Sequence, residues 1–469
     1  MTNVRREDLE MKIPALMHLS RLGYGYLSRE QNRRRDRMTN ILPETLKAAA
    51  ERINGRRIAS EEFERLMDDL RSQLDAEDLG RAFYGTIRDG WNGIRLIDFD
   101  HAENNLFQSA AELPCGSGAG SFRPDITLFV NGMPLAMIEV KTGNRNRGLQ
   151  AEYDRMLKRS RGKEARRFLQ CAQVWAFSDD QAEEQDRLLP TEGAFYATVM
   201  AEGFPVYGVP GLLTPAGIRL LPQNAEEERR ILADNGIPEK PKSEAFRKSL
   251  TPVKYTHRML TVLFFPERFL FLLRYGIQYV RETEMAGKEY LTRRILTLRQ
   301  MNVLRSLKAK AARGFLNWSA APCGAAGEQA MNASLVALLW DLAPGASLHW
   351  VSADETEQQR DRKMLEACGV ACALRDEMLD GRLTLLRADE APVKRQPESG
   401  TRGGAGRKVF ILPSPVFRYG ARRSFHAKLR RAEPDAILVT RITERETERG
   451  FSAVVMRMEV KPEKEKQYG

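Results

Sequence analysis

The sequence predicts an α/β protein with a core of order α-β-β-β-α-β and a second α/β domain behind it. Three observations carry this. Between Arg123 and Lys141, apolar residues recur at every second position on either side of Asn131-Gly132, the signature of a β-hairpin. Apolar residues at helical spacing precede the hairpin over residues 7–22, and a helix to about Leu157 and a strand at 174–177 follow it. Beyond about Tyr290, short apolar runs at 348–351, 409–411 and 436–440 read as further strands.

The opening helix carries Ile13, Leu16, Leu19 and Leu22 on one face and stops at Gly23, with Pro14 either kinking it or marking its first turn. The arginines between Asn32 and Arg37 suit a solvated loop or a phosphate contact equally. Residues 43–84 read as two helices, with Pro43 near the start of the first. In the hairpin, Ile126, Leu128 and Val130 share a face, and Ile138 and Val140 face the core, so Glu139 and Lys141 project together on the other side. A strict two-residue loop would set Asp125 opposite Ile138. A three-residue loop over 131–133 pairs Val130 with Pro134 and sets Asp125 opposite Glu139, and that register, or an equivalent bulge, is expected. A strand over 194–200 follows. Residues 222–256 read as a polar extension or linker, 263–280 as a helix, and 391–407, rich in Gly, Pro, Ser and charge, as a disordered loop.

At 469 residues the chain has room for two or three domains, and 42% hydrophobic with 29% charged residues excludes the disordered class. Lys plus Arg number 74 against 63 Asp plus Glu, a net charge of +11 that favours an anionic partner through counterion release. Five cysteines without a secretory signal predict a reducing, cytoplasmic setting. Cys368 and Cys372 lack a second Cys or His pair and read as helix or core residues rather than zinc ligands. The longest apolar run, 259–273, is broken by Pro266, Glu267 and Arg268, so no membrane partner is expected.

Asp125 at the head of one strand and Glu139-Val140-Lys141 on the next admit a bland reading, a solvated strand face. They also resemble the active-site constellation of the PD-(D/E)xK nucleases. That resemblance implies Asp125 and Glu139 as oxygen ligands for Mg²⁺ or Mn²⁺ and Lys141 as catalytic base or charge stabiliser, for metal-assisted phosphodiester hydrolysis. The flanks sharpen it. Ile94-Arg95-Leu96-Ile97-Asp98-Phe99-Asp100-His101-Ala102-Glu103-Asn104-Asn105-Leu106-Phe107 runs on through Arg123-Pro124-Asp125 to Val130-Asn131-Gly132-Met133-Pro134-Leu135. This closely resembles the N-terminal nuclease domain of the restriction (R) subunit of type I restriction-modification enzymes. The resemblance further implies a first-helix glutamate at the metal, for which Glu10 is the candidate, although a first-turn glutamate is also favoured by the helix dipole. It also implies a DNA-positioning Gln and Tyr on the helix after Lys141. Gln150 and Tyr153 stand there three residues apart, where the family has four.

Further on, Leu298-Arg299-Gln300 and Phe315-Leu316-Asn317-Trp318 resemble the approach to the same family's RecA-like ATPase core. Where the family has a phosphate loop ending in Gly-Lys-Thr, this chain has Pro322-Cys323-Gly324-Ala325-Ala326, and where it has Asp-Glu-Ala-His, this chain has Leu412-Pro413-Ser414-Pro415. The lysine, the hydroxyl and both acids are missing. The resemblance therefore implies a nuclease domain over 1–255, a helical connector over 256–289, and a RecA-like parallel α/β domain over 290–469 with a dead nucleotide site at Gly324, Ala325, Ala326, Leu412 and Pro413. No ATP is expected to bind. The chain stops at Gly469, about where a second motor domain would begin, so no motor of its own is expected.

The leading expectation is a Mg²⁺-dependent DNA endonuclease acting on double-stranded DNA in restriction of foreign DNA, as in phage defence. Partners would be modification or specificity subunits or another defence protein. The competing class is a non-catalytic DNA-binding or assembly protein derived from a restriction subunit. An ATP-driven motor is contradicted by Ala325 and Leu412.

Overall fold

A computed structural model describes residues 7–115, 122–142, 149–181, 193–199, 207–208, 218–237, 239–251, 255–283, 287–311, 319–323, 325–342, 347–352, 354–374, 383–387, 408–412, 436–443 and 452–460. The chain is mixed α/β and forms two compact units, Met1–Arg274 with Leu291–Arg293, and Tyr275–Tyr290 with Arg294–Gly469. The residues expected to form a separate connector are thus divided between the two.

In the first unit a π-helical turn, Asp8–Lys12, runs into α1 (Ile13–Arg21). Pro14 sits in the first turn of α1, where its missing N–H leaves no donor unpaired, and the wider turn lies just ahead of it. The next elements are β1 (Gly25–Tyr26) and α2 (Arg29–Asn32), the latter held by a capping box between Ser28 and Gln31. The segment expected to hold two helices holds three: α3 (Pro43–Asn54), α4 (Ser60–Asp75) and α5 (Arg81–Asp89). Gly55, at φ 62°, ends α3 in the left-handed conformation that glycine adopts without strain.

Strands β2 (Phe107–Ala111), β3 (Ile126–Val130) and β4 (Met133–Val140) follow, then α6 (Leu149–Ser160), α7 (Lys163–Cys171), β5 (Val174–Ser178), β6 (Ala194–Ala197) and β7 (Tyr207–Gly208). They form one sheet of order β1-β2-β3-β4-β5-β6-β7. β4 pairs parallel with β5, the join that needs the α6–α7 crossover. β3 and β4 are buried along their whole length. One face shares a cluster with α6 and α7, in which Phe129, Met137, Trp175 and Phe177 meet Tyr153, Met156, Phe168 and Leu169.

The expected linker over 222–256 instead contains two helices, α8 (Ala225–Asp234) and α9 (Glu244–Ser249). α8 packs on α1 with Ile231 and Leu232 buried, and Asp234 accepts a hydrogen bond from the Tyr26 hydroxyl at 2.7 Å. Two more helices, α10 (Tyr255–Phe264) and α11 (Pro266–Tyr275), replace the first part of the single helix expected over 263–280. Pro266 opens a new helix rather than continuing the old one, and Ile277 to Val280 are extended.

His18 of α1 and His257 of α10 stack with ring centroids 4.6 Å apart and 10° between planes. Thr261 Oγ1 donates its only proton to the His257 carbonyl at 2.9 Å, so it accepts from His18 Nε2 at 2.7 Å. That leaves His18 Nδ1 a buried lone pair without a hydrogen-bond partner. Burial, then His257 and Arg21, hold the His18 imidazole well below its usual 6.5. The folded chain keeps it neutral while the unfolded chain takes up a proton below about pH 6.5, so this contribution is complete above that pH and lost as pH falls, by up to about 1.4 kcal/mol per unit. Thermal midpoints followed from pH 7 to pH 5 should fall more steeply for the wild type than for His18→Phe. Parallel profiles would remove His18 as the source.

The second unit contains β8 (Ile277–Thr283) and most of β9 (Glu289–Ile295), then α12 (Leu298–Ala311), β10 (Ser319–Cys323), α13 (Ala325–Leu342), β11 (Ser347–Ser352), α14 (Glu355–Ala367), β12 (Cys372–Leu374), β13 (Leu383–Arg387), β14 (Lys408–Leu412), β15 (Ala436–Thr443) and β16 (Ser452–Val460). Its large sheet has the order β10-β16-β15-β14-β11-β13-β12. From β12 to β15 all pairs are parallel, and β16 pairs antiparallel with both β15 and β10. The three strands expected here are β11, β14 and β15. Residues 315–318 and the loop 391–407 lie outside the described residues. Cys368 is half-buried and Cys372 buried.

Candidate active site

The hairpin turn has two residues, with Asn131 at φ 51° and Gly132 at φ 79° and Val130 paired with Met133. This is the tight loop that Asn-Gly favours, not the three-residue loop expected. The register is corrected further along. Phe129 pairs with Pro134 but Leu128 pairs with Ala136, so Leu135 is an extra residue, a β-bulge, and Ile126 comes to face Ile138. Continued by one step, that register sets Asp125 across from Glu139. The bulge does the work the longer loop was expected to do.

Long-range bonds hold the turn rigid. Asn131 donates through its amide to the Leu96 carbonyl and to Asn105 Oδ1, both at 2.9 Å, and accepts from Leu106 N at 2.8 Å. Asn105 Oδ1 also accepts from Asp98 N, and the Asp98 carboxylate collects the amides of Asp100 and His101 and the side chain of Asn104. A Cβ on Gly132 would come within 2.8 Å of the Leu42 carbonyl, and Leu42 N donates to the Gly132 carbonyl at 2.9 Å, so α3 docks on the turn. The phrases at 94–107 and 130–135 are therefore one polar network.

At the open end of the hairpin the three expected side chains meet. Asp125 Oδ2 accepts from the backbone N–H of Val140 at 2.9 Å. The Lys141 ammonium lies 3.4 Å from Asp125 Oδ2, 3.6 Å from Glu139 Oε2 and 3.4 Å from Glu7 Oε1. Glu139 is only 4% exposed, which excludes the solvated-face reading. Burial first, then the Asp125 carboxylate, push its carboxyl up to about 8 against the opposing pull of Lys141. Burial pulls the Lys141 ammonium down, but Asp125, Glu139 and Glu7 together raise it, so it carries its charge at neutral pH.

Glu7 is the residue that sequence reasoning missed. The first-helix carboxylate beside Lys141 is Glu7, one turn ahead of the expected Glu10. The π-helical turn at Asp8–Lys12 changes the helical phase between this region and α1, which the apolar pattern of α1 could not reveal. Lys12 on that turn pairs with Asp8 at 2.6 Å and with Glu112 at 2.7 Å, and Glu112 N donates to the Asp125 carbonyl at 3.1 Å. The first helix is thus tied by ion pairs to Glu112 after β2 and to Lys141 after β4, and Glu112 is hydrogen-bonded in turn to Asp125.

Tyr153, expected to position DNA, lies in the core instead. It is 1% exposed, its ring is about 6 Å from those of Trp175 and Phe177, and its hydroxyl donates to the Thr198 carbonyl at 3.2 Å. An apolar face of α6 must cover the sheet, and Tyr153 is on it. The side chain of Gln150 is outside the described residues. In the arginine run, Arg35 is a structural clamp on Asn32, Asn40 and Pro114, while Arg33, Arg34 and Arg37 are exposed. Ala325 and Ala326 open α13 directly behind β10, and Leu412 ends β14; Gly324 and Pro413 are outside the described residues.

Two oxygens of the site, Glu139 Oε1 and Glu7 Oε2, are buried without a hydrogen-bond partner. Unused carboxylate lone pairs are the donors that a hard cation needs, so the residues present fit Mg²⁺ or Mn²⁺. Among the described residues no group of three His, Cys, Asp or Glu side chains forms a ready cage. Mg²⁺ commonly takes one or two carboxylates and fills its shell with water and phosphate oxygens.

Residues 5–182 match the family described as type I restriction enzyme R protein N terminus. Over 74 residues the chain is 40% identical to the type I restriction enzyme HindI endonuclease subunit of Haemophilus influenzae, a match to 13% of this chain and 7% of that protein. Over 196 residues it is 28% identical to a Methanocaldococcus jannaschii protein named provisionally as the type I restriction enzyme MjaIXP endonuclease subunit, 37% of this chain and 18% of that one. The matches therefore span only a minor part of the length of these relatives. Residues 5–182 are thus similar to the N-terminal region of type I restriction enzyme R proteins.

Proposed function

We propose that this protein is a metal-dependent DNA endonuclease of PD-(D/E)xK type, acting in restriction of foreign DNA. The observation that carries this is the convergence of Asp125, Glu139, Lys141 and Glu7, with two buried carboxylate oxygens unpartnered, inside a region of restriction-subunit ancestry. Asp125 and Glu139 would hold a Mg²⁺ or Mn²⁺ ion with Glu7 in reach, and bound there it would polarise the scissile phosphate and acidify a water. The backbone N–H of Val140 fixes the rotamer of Asp125. Lys141, raised rather than lowered, serves as a stabiliser of charge on the phosphate oxygens and not as a general base, which would need a neutral amine. The partners of such an enzyme would be double-stranded DNA and modification or specificity subunits.

For the second unit the proposed reading is a RecA-like domain without a working nucleotide site. Its support is the run of parallel strands β12 to β15 and the β10–α13 strand-to-helix join, where Ala325 and Ala326 offer neither a lysine nor a magnesium-binding hydroxyl. One assay tests both readings. Supercoiled plasmid should be cut by the wild type with Mg²⁺, not by Lys141→Ala, and added ATP should leave the rate unchanged. No cutting by a folded wild type would favour an assembly role, and ATP stimulation would overturn the reading of the second unit.

A further inference from the structure

We propose that Arg159 grips a backbone phosphate of the substrate beside the Asp125–Glu139 pair. This rests on the nuclease reading and adds to it a residue that no sequence pattern marked. Arg159 is in the last turn of α6, and its guanidinium lies over the ring of Phe122, 5.1 Å from the centroid. Phe122 stands three residues before Asp125. It is itself fixed, buried against the Phe168 ring and joined to Cys115 by two backbone hydrogen bonds of 2.8 and 2.9 Å. The guanidinium therefore has a rigid platform tied to the strand that carries the first carboxylate.

Arg159 is held over that ring without a carboxylate partner. On α6 and α7, Arg155 pairs with Glu152, Arg166 with Glu77 and Arg167 with Asp75. Among the described residues Arg159 has only a 3.8 Å contact from Nη1 to the Met156 sulfur, a weak acceptor, and no carboxylate pairs with it. A partly exposed guanidinium whose donors are not taken up by a carboxylate is available to grip an anion. Glu139 acts on it through space, which puts it within electrostatic reach of the site. The anion that would arrive there is a phosphodiester, whose two free oxygens match the fork of an arginine held over an aromatic ring.

The test uses the full chain with a short DNA duplex. In a Glu139→Gln background, which prevents cutting, Arg159→Met should weaken binding about tenfold near physiological salt and flatten the plot of log affinity against log salt by about 0.9, one phosphate contact. With Glu139 intact, Arg159→Met should cut slowly at an unchanged thermal midpoint. Arg159→Lys keeps the charge but not the fork, and should retain the salt slope while recovering only part of the rate, a result that stands even if the methionine variant folds poorly. An unchanged slope and rate in Arg159→Met, or full rescue of cutting by lysine, defeats the proposal. A wild type that binds duplex but never cuts defeats the nuclease reading, and the salt slope then still decides whether Arg159 holds a phosphate.

Discussion

Glu139→Gln should abolish metal-dependent cleavage and, in the same protein, raise the thermal midpoint of the metal-free chain. The two effects have one cause. The Glu139 carboxyl is buried beside Asp125 with Oε1 unpartnered, and burial and the Asp125 carboxylate push it up to about 8 from the 4.5 of an ordinary glutamate. A carboxyl raised on folding costs stability above its unfolded value, so stability falls as pH rises from about 4.5 to about 8, by something on the order of 3 kcal/mol at pH 7. Glutamine fills the same space without a charge and removes that cost. It also removes an anionic oxygen from the proposed metal site, where Lewis-acid stabilisation of several kcal/mol corresponds to roughly 10³-fold in rate. Melting curves without and with Mg²⁺ should show the wild type gaining from the ion and the variant not. Cutting at the wild-type rate would locate the chemistry elsewhere. A lower midpoint in the variant would mean that Glu139 is not held against its charge.

The largest loss of stability is expected at Arg293, far from any motif. Its side chain is fully buried, and it donates to Thr198 Oγ1 at 2.6 Å, to the carbonyls of Leu79, Leu169, Gln170 and Ala172, and to Gln173 Oε1. Leu169, Gln170 and Ala172 lie at the C-terminal end of α7, where carbonyls have no helical partner and the helix dipole favours a cation. Arg293→Met keeps much of the volume and strips donors from these acceptors at once. Removal of a buried charged donor costs about 3–5 kcal/mol, and Lys cannot substitute because its three donors sit on one atom. Urea titration should show an unfolding free energy lowered by that amount, with β5 and the site beside it lost in the same transition. A change below about 1 kcal/mol would show that solvent satisfies the α7 carbonyls unaided.

By itself the sequence determined the features that depend on neighbours in the chain. Asn131-Gly132 marked the hairpin turn because both residues tolerate positive φ, and strict alternation put Glu139 and Lys141 on one side. Setting Asp125 opposite Glu139 took one residue more, expected in a three-residue loop or an equivalent bulge, and with the bulge Asp125, Glu139 and Lys141 are together in the structure. The tertiary structure decided what depends on distant partners. Leu135 became the bulge residue although nothing in its own chemistry requires one there; the turn was already fixed to two residues by Asn131, Asn105 and Asp98, so the extra residue had to go into the strand. Glu7 comes beside Lys141 at the head of a π-helical turn, which shifts helical phase without altering composition. Tyr153 was taken into the core because α6 has to cover Trp175 and Phe177, and burial of an aromatic ring outweighs any pull on its hydroxyl, which finds Thr198 there. Arg293 and Arg159 were both invisible as members of an arginine-rich chain. One is enclosed by carbonyls and the other is stacked on Phe122 without a carboxylate, a difference made entirely by what surrounds each guanidinium in space.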